Sequence, residues 1–362
     1  MKQRTLGRTG IAVGEIGFGT EHVVHQDRRS VREIISKAID GGINYFDFFM
    51  PERDSRDTMG YAWKDLRSRI VIAGHLGVSL SRGQYERTRD PRVCREDFHD
   101  LLRRLGTDYV DVLMLHYVDE PEDARRVLSG EFMDLALELK HQGKARCLGM
   151  SSHNPRVSRQ AAETGVIDVI MFSINPAFDA AGHISSGKTE EEVLGIQEDI
   201  RTRRRLEDAA DRRAFYRYCE DQQVALVAMK PFAGGWLMNK KMFNPAPTSI
   251  QCLSYALHQP GVAAAVPGIS TLAQLQDVLA WNTASERQRE YHGILEKHSW
   301  DMAGTCLYCN HCLPCPEGIN IGEVIRLADL AAVKDIKLLE ETYQDLKVGA
   351  SSCTACGACM KR

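Results

Sequence analysis

The sequence lacks several features that would assign it to a common class of protein. Its 362 residues carry a formal net charge of only −3, so no excess of positive charge predicts nucleic acid or an anionic membrane as a partner. No segment approaches the roughly 20 consecutive apolar residues of a membrane-spanning helix. The opening residues, MKQRTLGRTGIAVGEIGFGT, contain no apolar run long enough for a signal peptide. We therefore expect a soluble, cytoplasmic protein.

A GxGxxG turn after the first predicted strand is also absent, which argues against a doubly wound dinucleotide-binding domain. Instead, eight short apolar runs alternate with amphipathic stretches such as SVREIISKAIDGG and REDFHDLLRRLG, which end in glycine as helices often do. Eight such repeats predict an α/β fold, the (β/α)8 TIM barrel. The predicted strands lie near Val13–Gly19, Ile43–Phe46, Ile70–Gly74, Val110–His116, Ala145–Met150, Ile167–Ser173, Val224–Met229 and Val262–Val266.

The chain divides into two predicted domains. Residues 1–295 hold the eight repeats and form the barrel, whereas residues 296–362 form a small, cysteine-rich domain. One connection inside the barrel, from Pro176 to about Asp211, is long and charged. We predict that it forms a lid over the carboxyl-terminal end of the barrel, where barrel sites lie, and a solvated excursion is the alternative.

The eleven cysteines are many for a reducing compartment, where clustered cysteines indicate a metal site rather than disulfides. Four are scattered singly, and we predict that they are small buried hydrophobic residues: Cys94, Cys147, Cys219 and Cys252. The other seven form two runs with C-x₂-C spacing: Cys306, Cys309, Cys312 and Cys315, then Cys353, Cys356 and Cys359. The stretch between the runs predicts a scaffold helix.

The two runs favour iron–sulfur ligation over zinc, because zinc sites usually take two well-separated C-x₂-C pairs. Three thiolates in close succession suit one [4Fe–4S] cluster, and the fourth cysteine of a run ligates the other cluster. We predict two clusters, one of them complete with Cys315 and the second run. The other needs a fourth ligand, which we expect beyond Arg362 in a longer form of the chain. An unusual fourth ligand, or absence of this cluster, is the alternative.

Several barrel motifs together resemble the aldo-keto reductase family. RTLGRTGIAVGEIGFGT is similar to its opening hairpin and first strand, GINYFD to its second strand, LGTDYVDVLMLH to its fourth and GKARCLGMSSHNP to its fifth. VALVAMKPFAGG is similar to the seventh strand, and VPGISTLAQLQDVL to the eighth strand and cofactor helix. The cysteine tail is similar to the branch that carries a ferredoxin-like domain. The resemblance implies an NAD(P) cofactor across the barrel mouth and four catalytic residues: aspartate, tyrosine, lysine and histidine.

Carried over position by position, only half of this catalytic set is retained. The aspartate falls on Asp47 and the histidine on His116, but His75 stands at the lysine position and Glu52 at the tyrosine position. Carbonyl reduction needs a proton for the developing alkoxide, so the loss of both residues predicts altered acid/base chemistry. We predict His75 as the replacement acid/base, with Glu52 as a second candidate. Three tyrosines that could also reach the site are interpreted as packing residues: Tyr45, Tyr85 and Tyr117.

The resemblance also implies a set of cofactor-binding residues: Thr20, Ser151, Ser152, Asn175, Lys230, Gly268, Ser270, Gln274 and Asp277. Ser151 and Ser152 match the positions that hold the nicotinamide amide. However, Ile174 stands where the family has a ring-stacking tyrosine. The stretch GISTLAQ has no Arg or Lys for the 2′-phosphate of NADP, and the choice between NAD and NADP stays open.

Together these features predict an iron–sulfur-containing oxidoreductase that acts on a small organic substrate, with NAD(P), ferredoxin or another electron-transfer protein as its redox partner. One alternative is a nicotinamide or redox sensor with little turnover. Another is a metal-dependent lyase or hydrolase, in which Asp47, His75 and His116 form a facial triad around a metal ion.

Overall fold

The computed structural model describes residues 1–24, 26–179, 200–240, 243–295, 306, 312–331, 340 and 342–361. Its main feature is a parallel eight-stranded sheet. The strands of this sheet are β3 (Phe18–Gly19), β4 (Tyr45–Phe48), β5 (Val71–Leu76), β8 (Val110–Leu115), β9 (Ala145–Ser152), β10 (Val169–Ser173), β11 (Ala225–Met229) and β12 (Val262–Val266). They pair in the order β12-β11-β10-β9-β8-β5-β4-β3, and parallel bridges from Ile16 to Ala265 and from Gly19 to Gly268 join the first strand to the last. The predicted (β/α)8 barrel is therefore confirmed.

Helices cover the outside of the sheet, and several begin at a side-chain cap. Asp27, Asp90 and Asn154 each accept two hydrogen bonds from the first backbone N–H groups of the helix that follows, which satisfies donors that have no partner within the helix. The helices are α1 (Arg28–Asp40), α2 (Arg53–Trp63), α3 (Pro91–Leu105), α4 (Pro121–Ser129), α5 (Glu131–His141), α6 (Pro155–Glu163), α7 (Pro176–Asp179), α8 (Ile200–Asp221), α9 (Ser249–Leu257), α10 (Leu272–Leu279), α11 (Glu286–Arg289), α12 (His292–Leu295) and α13 (Ile321–Ala331).

Strand alternation divides the core into two layers. Phe46, Ile72 and Leu113 pack outward under the helices, whereas their neighbours Tyr45 and Ala73 pack inside the barrel. Successive side chains of a strand point to opposite faces. A polar residue that lies two positions beyond the last inner-layer residue of a strand therefore also points inward, at the carboxyl-terminal mouth of the barrel.

Two short antiparallel hairpins lie outside the barrel sheet. The first pairs β1 (Gln3–Thr5) with β2 (Ala12–Gly14), so the strand predicted over Val13–Gly19 is in fact the end of a hairpin followed by the short barrel strand β3. The second pairs β6 (Val78–Ser81) with β7 (Gln84–Arg87). It was not predicted, because its sequence, VSLSRGQYER, is too polar to stand out as a strand.

The predicted lid falls largely outside the described residues, which omit 180–199. The prediction places the end of this loop at about Asp211, whereas in the structure helix α8 begins at Ile200. Of the predicted scaffold helix between the cysteine runs, the structure describes α13, which begins at Ile321.

The four scattered cysteines are all buried, as predicted. Burial raises the pKa of each thiol to about 12, so they are protonated and inert at neutral pH. Among the helices of the described segments, we find none with the length and apolar character needed to cross a membrane.

Candidate active site

Three predicted catalytic residues meet at the mouth of the barrel. Asp47, His75 and His116 lie on β4, on β5 and directly after β8, each two residues beyond an inner-layer residue. They are only 8%, 7% and 5% exposed. His75 Nε2 lies 2.9 Å from Asp47 Oδ1, and His75 Nδ1 lies 2.7 Å from His116 Nδ1. The two histidines and the carboxylate therefore form one continuous hydrogen-bonded chain.

A fourth residue extends this chain. The hydroxyl of Tyr85, from β7, lies 2.6 Å from His116 Nε2. The ring of Tyr85 is 9% exposed, and its centroid is 5.7 Å from that of His116. Tyr85 was one of three tyrosines interpreted from the sequence as packing residues, and it does pack, with its hydroxyl bonded to a predicted catalytic histidine.

The other two tyrosines are placed differently. The ring of Tyr45 lies in the inner layer below Asp47, and its hydroxyl is buried without a hydrogen-bond partner in the described part of the protein. Burial and the nearby carboxylate of Asp47 raise the pKa of Tyr45 well above its usual value. Tyr117 packs its ring 5.0 Å from the guanidinium of Arg87, and its backbone N–H donates to Ser151 Oγ.

Glu52, the second candidate acid, is the residue that precedes α2. Its Oε2 atom is buried but has no hydrogen-bond partner within the described ranges. No hydrogen bond connects it to Asp47, His75 or His116 among the contacts described. Glu52 therefore stays a prediction that the geometry does not favour.

The arrangement of Asp47, His75 and His116 differs from that of a metal-binding triad. The two ring nitrogens of His75 face different partners, whereas ligands of one metal ion must direct their lone pairs at a common point. Within the residues that the structure describes, no group of three or more His, Cys, Asp or Glu residues is placed to hold a metal ion. The contacts suit proton transfer better than metal binding.

The residues predicted to bind a cofactor lie at or after the carboxyl ends of the barrel strands, at the same end of the barrel as the predicted catalytic residues. Thr20 Oγ1 donates to the carbonyl of Asp47 at 2.6 Å, and Asn175 Nδ2 donates to the carbonyl of Lys230 at 3.0 Å. Ser173 is 1% exposed, and its Oγ has no partner in the part of the chain described here. A buried polar group of this kind is expected to bind water or a ligand, which fits a polar group such as a nicotinamide amide.

The predicted adenosine-side residues surround the start of α10. Gln274 forms a capping box with Thr271 and also accepts hydrogen bonds from the N–H and hydroxyl of Ser270, both at 2.8 Å. A Cβ atom on Gly268 would lie 3.1 Å from the ring of His22, so a side chain would crowd this turn. Asp277 lies on the exposed face of α10.

A second polar cluster lies beside the predicted cofactor residues. His153 Nδ1 lies 3.0 Å from Asp119 Oδ2, and Lys230 Nζ lies 3.1 Å from His153 Nε2. Burial and the positive charge of Lys230 lower the pKa of His153, whereas the carboxylate of Asp119 opposes this shift. Ser152 Oγ also donates to Asp119, at 2.9 Å.

This cluster gives a prediction about acid stability. Although burial opposes ionisation, His153 and the hydrogen bonds from His153 and Ser152 lower the pKa of Asp119 to about 2. Because an unfolded aspartate has a pKa of about 3.9, the ionised group contributes about 2 kcal/mol above that pH, and this contribution disappears as the pH falls from about 4 to about 2. Urea unfolding should show Asp119→Asn to be less stable than the wild type at neutral pH. A difference that does not shrink towards pH 2 would contradict the assignment.

The predicted cluster ligands lie in the C-terminal region. Cys309 is outside the described residues, whereas Cys353, Cys356 and Cys359 are exposed. Cys315 and Leu313 pack against the β6–β7 hairpin that carries Tyr85, and the backbone N–H of Cys315 donates to Gln84 Oε1 at 2.9 Å. Cys315, the last cysteine of the first run, therefore contacts the hairpin next to the candidate active site.

The fold is a (β/α)8 barrel with a buried hydrogen-bonded chain at its carboxyl-terminal mouth, and comparisons with known proteins describe it more narrowly. Residues 11–180 match the model of the Aldo/keto reductase family. The uncharacterized oxidoreductase YqkF of Bacillus subtilis is 25% identical over 315 residues, which cover 83% of this chain and 97% of that protein. The NADH-specific methylglyoxal reductase of Escherichia coli is 28% identical over 179 residues, which cover 46% of this chain and 54% of that protein.

Solved structures agree on the fold. The holo form of the aldo-keto reductase AKR11C1 from Bacillus halodurans has a TM-score of 0.62 and 23% identity, and the match covers 83% of this chain and 97% of that one. The family model and the curated relatives show that this chain is similar to the aldo/keto reductase family and is an oxidoreductase.

Proposed function

We propose that this protein is a nicotinamide-dependent oxidoreductase that interconverts a small carbonyl compound and its alcohol through an altered acid/base chain. The observation that carries the proposal is the buried contact of His75 with both Asp47 and His116. An aldo/keto reductase barrel that had lost its chemistry would have no need to keep a carboxylate and two imidazoles buried in continuous contact. Burying polar groups is costly unless each is hydrogen-bonded.

His75 takes over the place of the family's lysine. When bound, the nicotinamide supplies a hydride to the carbonyl carbon, and the protein must supply a proton to the oxygen. A cationic His75 can donate from Nε2 to the Asp47 carboxylate while it donates from Nδ1 to His116. An imidazole passes a proton on near neutral pH, because its pKa is close to neutrality. The chain can therefore deliver a proton without the family's tyrosine–lysine pair.

The proposed cofactor contacts lie at the same end of the barrel as this acid/base chain. Ser151, Ser152 and Asn175 would hold the nicotinamide amide, together with the buried hydroxyl of Ser173, which has no partner among the described residues. Lys230 would lie on the pyrophosphate side, and Gly268, Ser270, Gln274 and Asp277 on the adenosine side. The stretch from Gly268 to Gln274 contains no Arg or Lys for a 2′-phosphate, so we favour NADH over NADPH.

Methylglyoxal is the first substrate to test, because one relative is named an NADH-specific methylglyoxal reductase. The full-length protein should oxidise NADH when methylglyoxal is added, and an Asp47→Asn variant should not. NADH binding without turnover of methylglyoxal or a panel of small aldehydes and ketones would favour the sensor alternative. Absence of NADH and NADPH binding would contradict the proposal.

We also propose that the C-terminal cysteines hold [4Fe–4S] clusters that exchange electrons with a ferredoxin-like partner. The support is the chemistry of the donor set: thiolates only, in C-x₂-C runs that favour iron–sulfur over zinc. The proposed ligands are Cys306, Cys309, Cys312, Cys315, Cys353, Cys356 and Cys359. Where the structure describes them, these cysteines do not converge on one metal position, and binding of a cluster would have to draw them together.

Anaerobic purification of the full-length protein provides the test. We expect roughly four iron atoms and four acid-labile sulfides for each complete cluster, with broad visible absorbance that reductant bleaches. Cys353→Ser should lower the iron content, whereas Cys252→Ser, at a buried single cysteine, should leave it unchanged. Zinc instead of iron, or an iron content that Cys353→Ser does not change, would overturn this assignment.

A further inference from the structure

We propose that Tyr85, on the β6–β7 hairpin, is the catalytic proton donor of this enzyme. It takes over the role of the family's tyrosine, whose position in this sequence is occupied by Glu52. This inference rests on the proposed function, because it names the group that meets the substrate oxygen in that reaction. It goes beyond the resemblance, which assigns no role to any residue of the β6–β7 hairpin.

The hydrogen bonds give the chain a direction. Asp47 accepts from His75 Nε2–H when its carboxylate is ionised. If His75 is neutral, its Nδ1 must accept from His116 Nδ1–H, so His116 Nε2 accepts from the Tyr85 hydroxyl. Protonation of His75 at Nδ1 reverses the direction of both the His75–His116 and the His116–Tyr85 hydrogen bonds. His116 Nε2–H then donates to the Tyr85 oxygen, and we infer that the Tyr85 hydroxyl gives its own proton to a substrate oxygen.

The proton step is balanced in this second state. A bound nicotinamide would supply the hydride that reduces the carbonyl carbon and would itself be oxidised, while the substrate oxygen takes the proton of Tyr85. Tyr85 regains a proton from His116 Nε2, and His116 regains one from His75 Nδ1. His75 becomes neutral and stays bound to Asp47. Alcohol oxidation is the same sequence in reverse, which returns the proton to His75.

The hairpin holds Tyr85 from several sides. Arg87 Nη1 and Arg89 Nη2 donate to the carbonyl of Tyr117, at 3.1 and 2.9 Å, which fixes the hairpin to the residue after His116. Phe49 follows β4, and its ring centroid lies 6.4 Å from that of Tyr85. On the C-terminal side, Cys315 N–H bonds Gln84, the neighbour of Tyr85, and Leu313 packs in the same cluster. Catalytic groups need such supporting contacts to hold their geometry.

Other residues are poorer candidates for this role. Tyr45 lies one layer deeper in the barrel, and Glu52 makes no hydrogen bond to the histidines among the contacts described. Tyr85 is the member of the chain farthest from Asp47, so a proton that moves along the chain arrives at its hydroxyl.

The test compares Tyr85→Phe with Tyr109→Phe, both in the full-length protein. Tyr109 lies at the opposite end of the barrel, just before β8, with the Arg67 guanidinium 4.0 Å from its ring. We expect Tyr85→Phe to lower kcat for NADH-dependent reduction of methylglyoxal, or of the carbonyl found by the panel, by at least about 100-fold. NADH affinity should stay unchanged, circular dichroism should show that Tyr85→Phe remains folded at the assay temperature, and Tyr109→Phe should behave as the wild type.

The possible outcomes distinguish a failure of the proposed function from a failure of the role assigned to Tyr85. If the wild type neither binds NADH nor turns over a carbonyl, the proposed function fails, and this inference fails with it. If the wild type turns over and folded Tyr85→Phe keeps or exceeds its rate, only the role of Tyr85 is overturned. Should Tyr85→Phe not fold, the proton inventory of the wild type in mixtures of H₂O and D₂O decides. We expect the protons to move together along the chain, which gives a bowl-shaped inventory, and a linear inventory, which reports a single proton in flight, contradicts this.

Discussion

Replacement of His75 by glutamine is expected to lower kcat/KM for NADH-dependent carbonyl reduction by between about 100-fold and about 10,000-fold, the usual contribution of a general acid/base. Glutamine can keep hydrogen bonds to Asp47 and His116 but cannot carry a proton between them. NADH affinity should therefore stay close to that of the wild type, and the loss should fall on kcat. Steady-state kinetics and nicotinamide fluorescence measure the two quantities separately.

A matched control is available at His141, which lies exposed at the end of α5. His141→Gln introduces the same chemical change away from the barrel mouth and should leave both quantities unaltered. Undiminished turnover of His75→Gln would refute the acid/base role of His75. A variant that loses NADH binding as well as turnover would indicate a structural role for His75 in the cofactor site.

The largest loss of stability is expected for Asp179→Ala. Asp179 lies at the end of α7 and accepts hydrogen bonds from Arg212 Nε at 2.6 Å, from Tyr216 at 2.8 Å and from Tyr255 at 3.0 Å. Arg212 and Asp179 are 6% and 7% exposed. Removal of the carboxylate leaves the arginine charge buried without its ion-pair partner, which typically costs about 3–5 kcal/mol. Urea unfolding should show this decrease in the free energy of unfolding.

The exposed ion pair between Arg156 and Asp211 provides the comparison for this prediction. Its atoms are 2.6 Å apart, but the side chains are 66% and 35% exposed. Surface pairs of this kind contribute little, so Asp211→Ala should cost about 0.5 kcal/mol or less. Equal losses for the two variants would show that burial of the Asp179 pair does not determine its contribution.

The barrel could be predicted from the sequence because its strands are short, apolar and β-branched, and because alternation fixes which side chains point inward. Asp47, His75 and His116 follow from the same rule, since each continues an inward-facing position of a strand. The β6–β7 hairpin could not be predicted in the same way. Its residues between Val78 and Arg87 are mostly polar, and the hairpin is held by contacts with distant segments rather than by its own pattern.

The contact of Tyr85 with His116 was also beyond sequence reasoning. It joins residues 31 positions apart through a hairpin that carries no family motif, so neither spacing nor resemblance indicates it. The same holds for the contact of Cys315 with Gln84, across 231 positions. The cysteine spacing predicts the chemistry of the tail, but it does not predict where the tail packs on the barrel.

The most direct test of the central claim is the fate of hydrogen from NADH that is deuterated at its hydride position. With methylglyoxal, or the carbonyl found by the panel, the alcohol product should carry deuterium on the former carbonyl carbon. This result would show direct hydride transfer from nicotinamide to that carbon. A reduced product without deuterium on that carbon would contradict the account, because the electrons would then reach the substrate by another route.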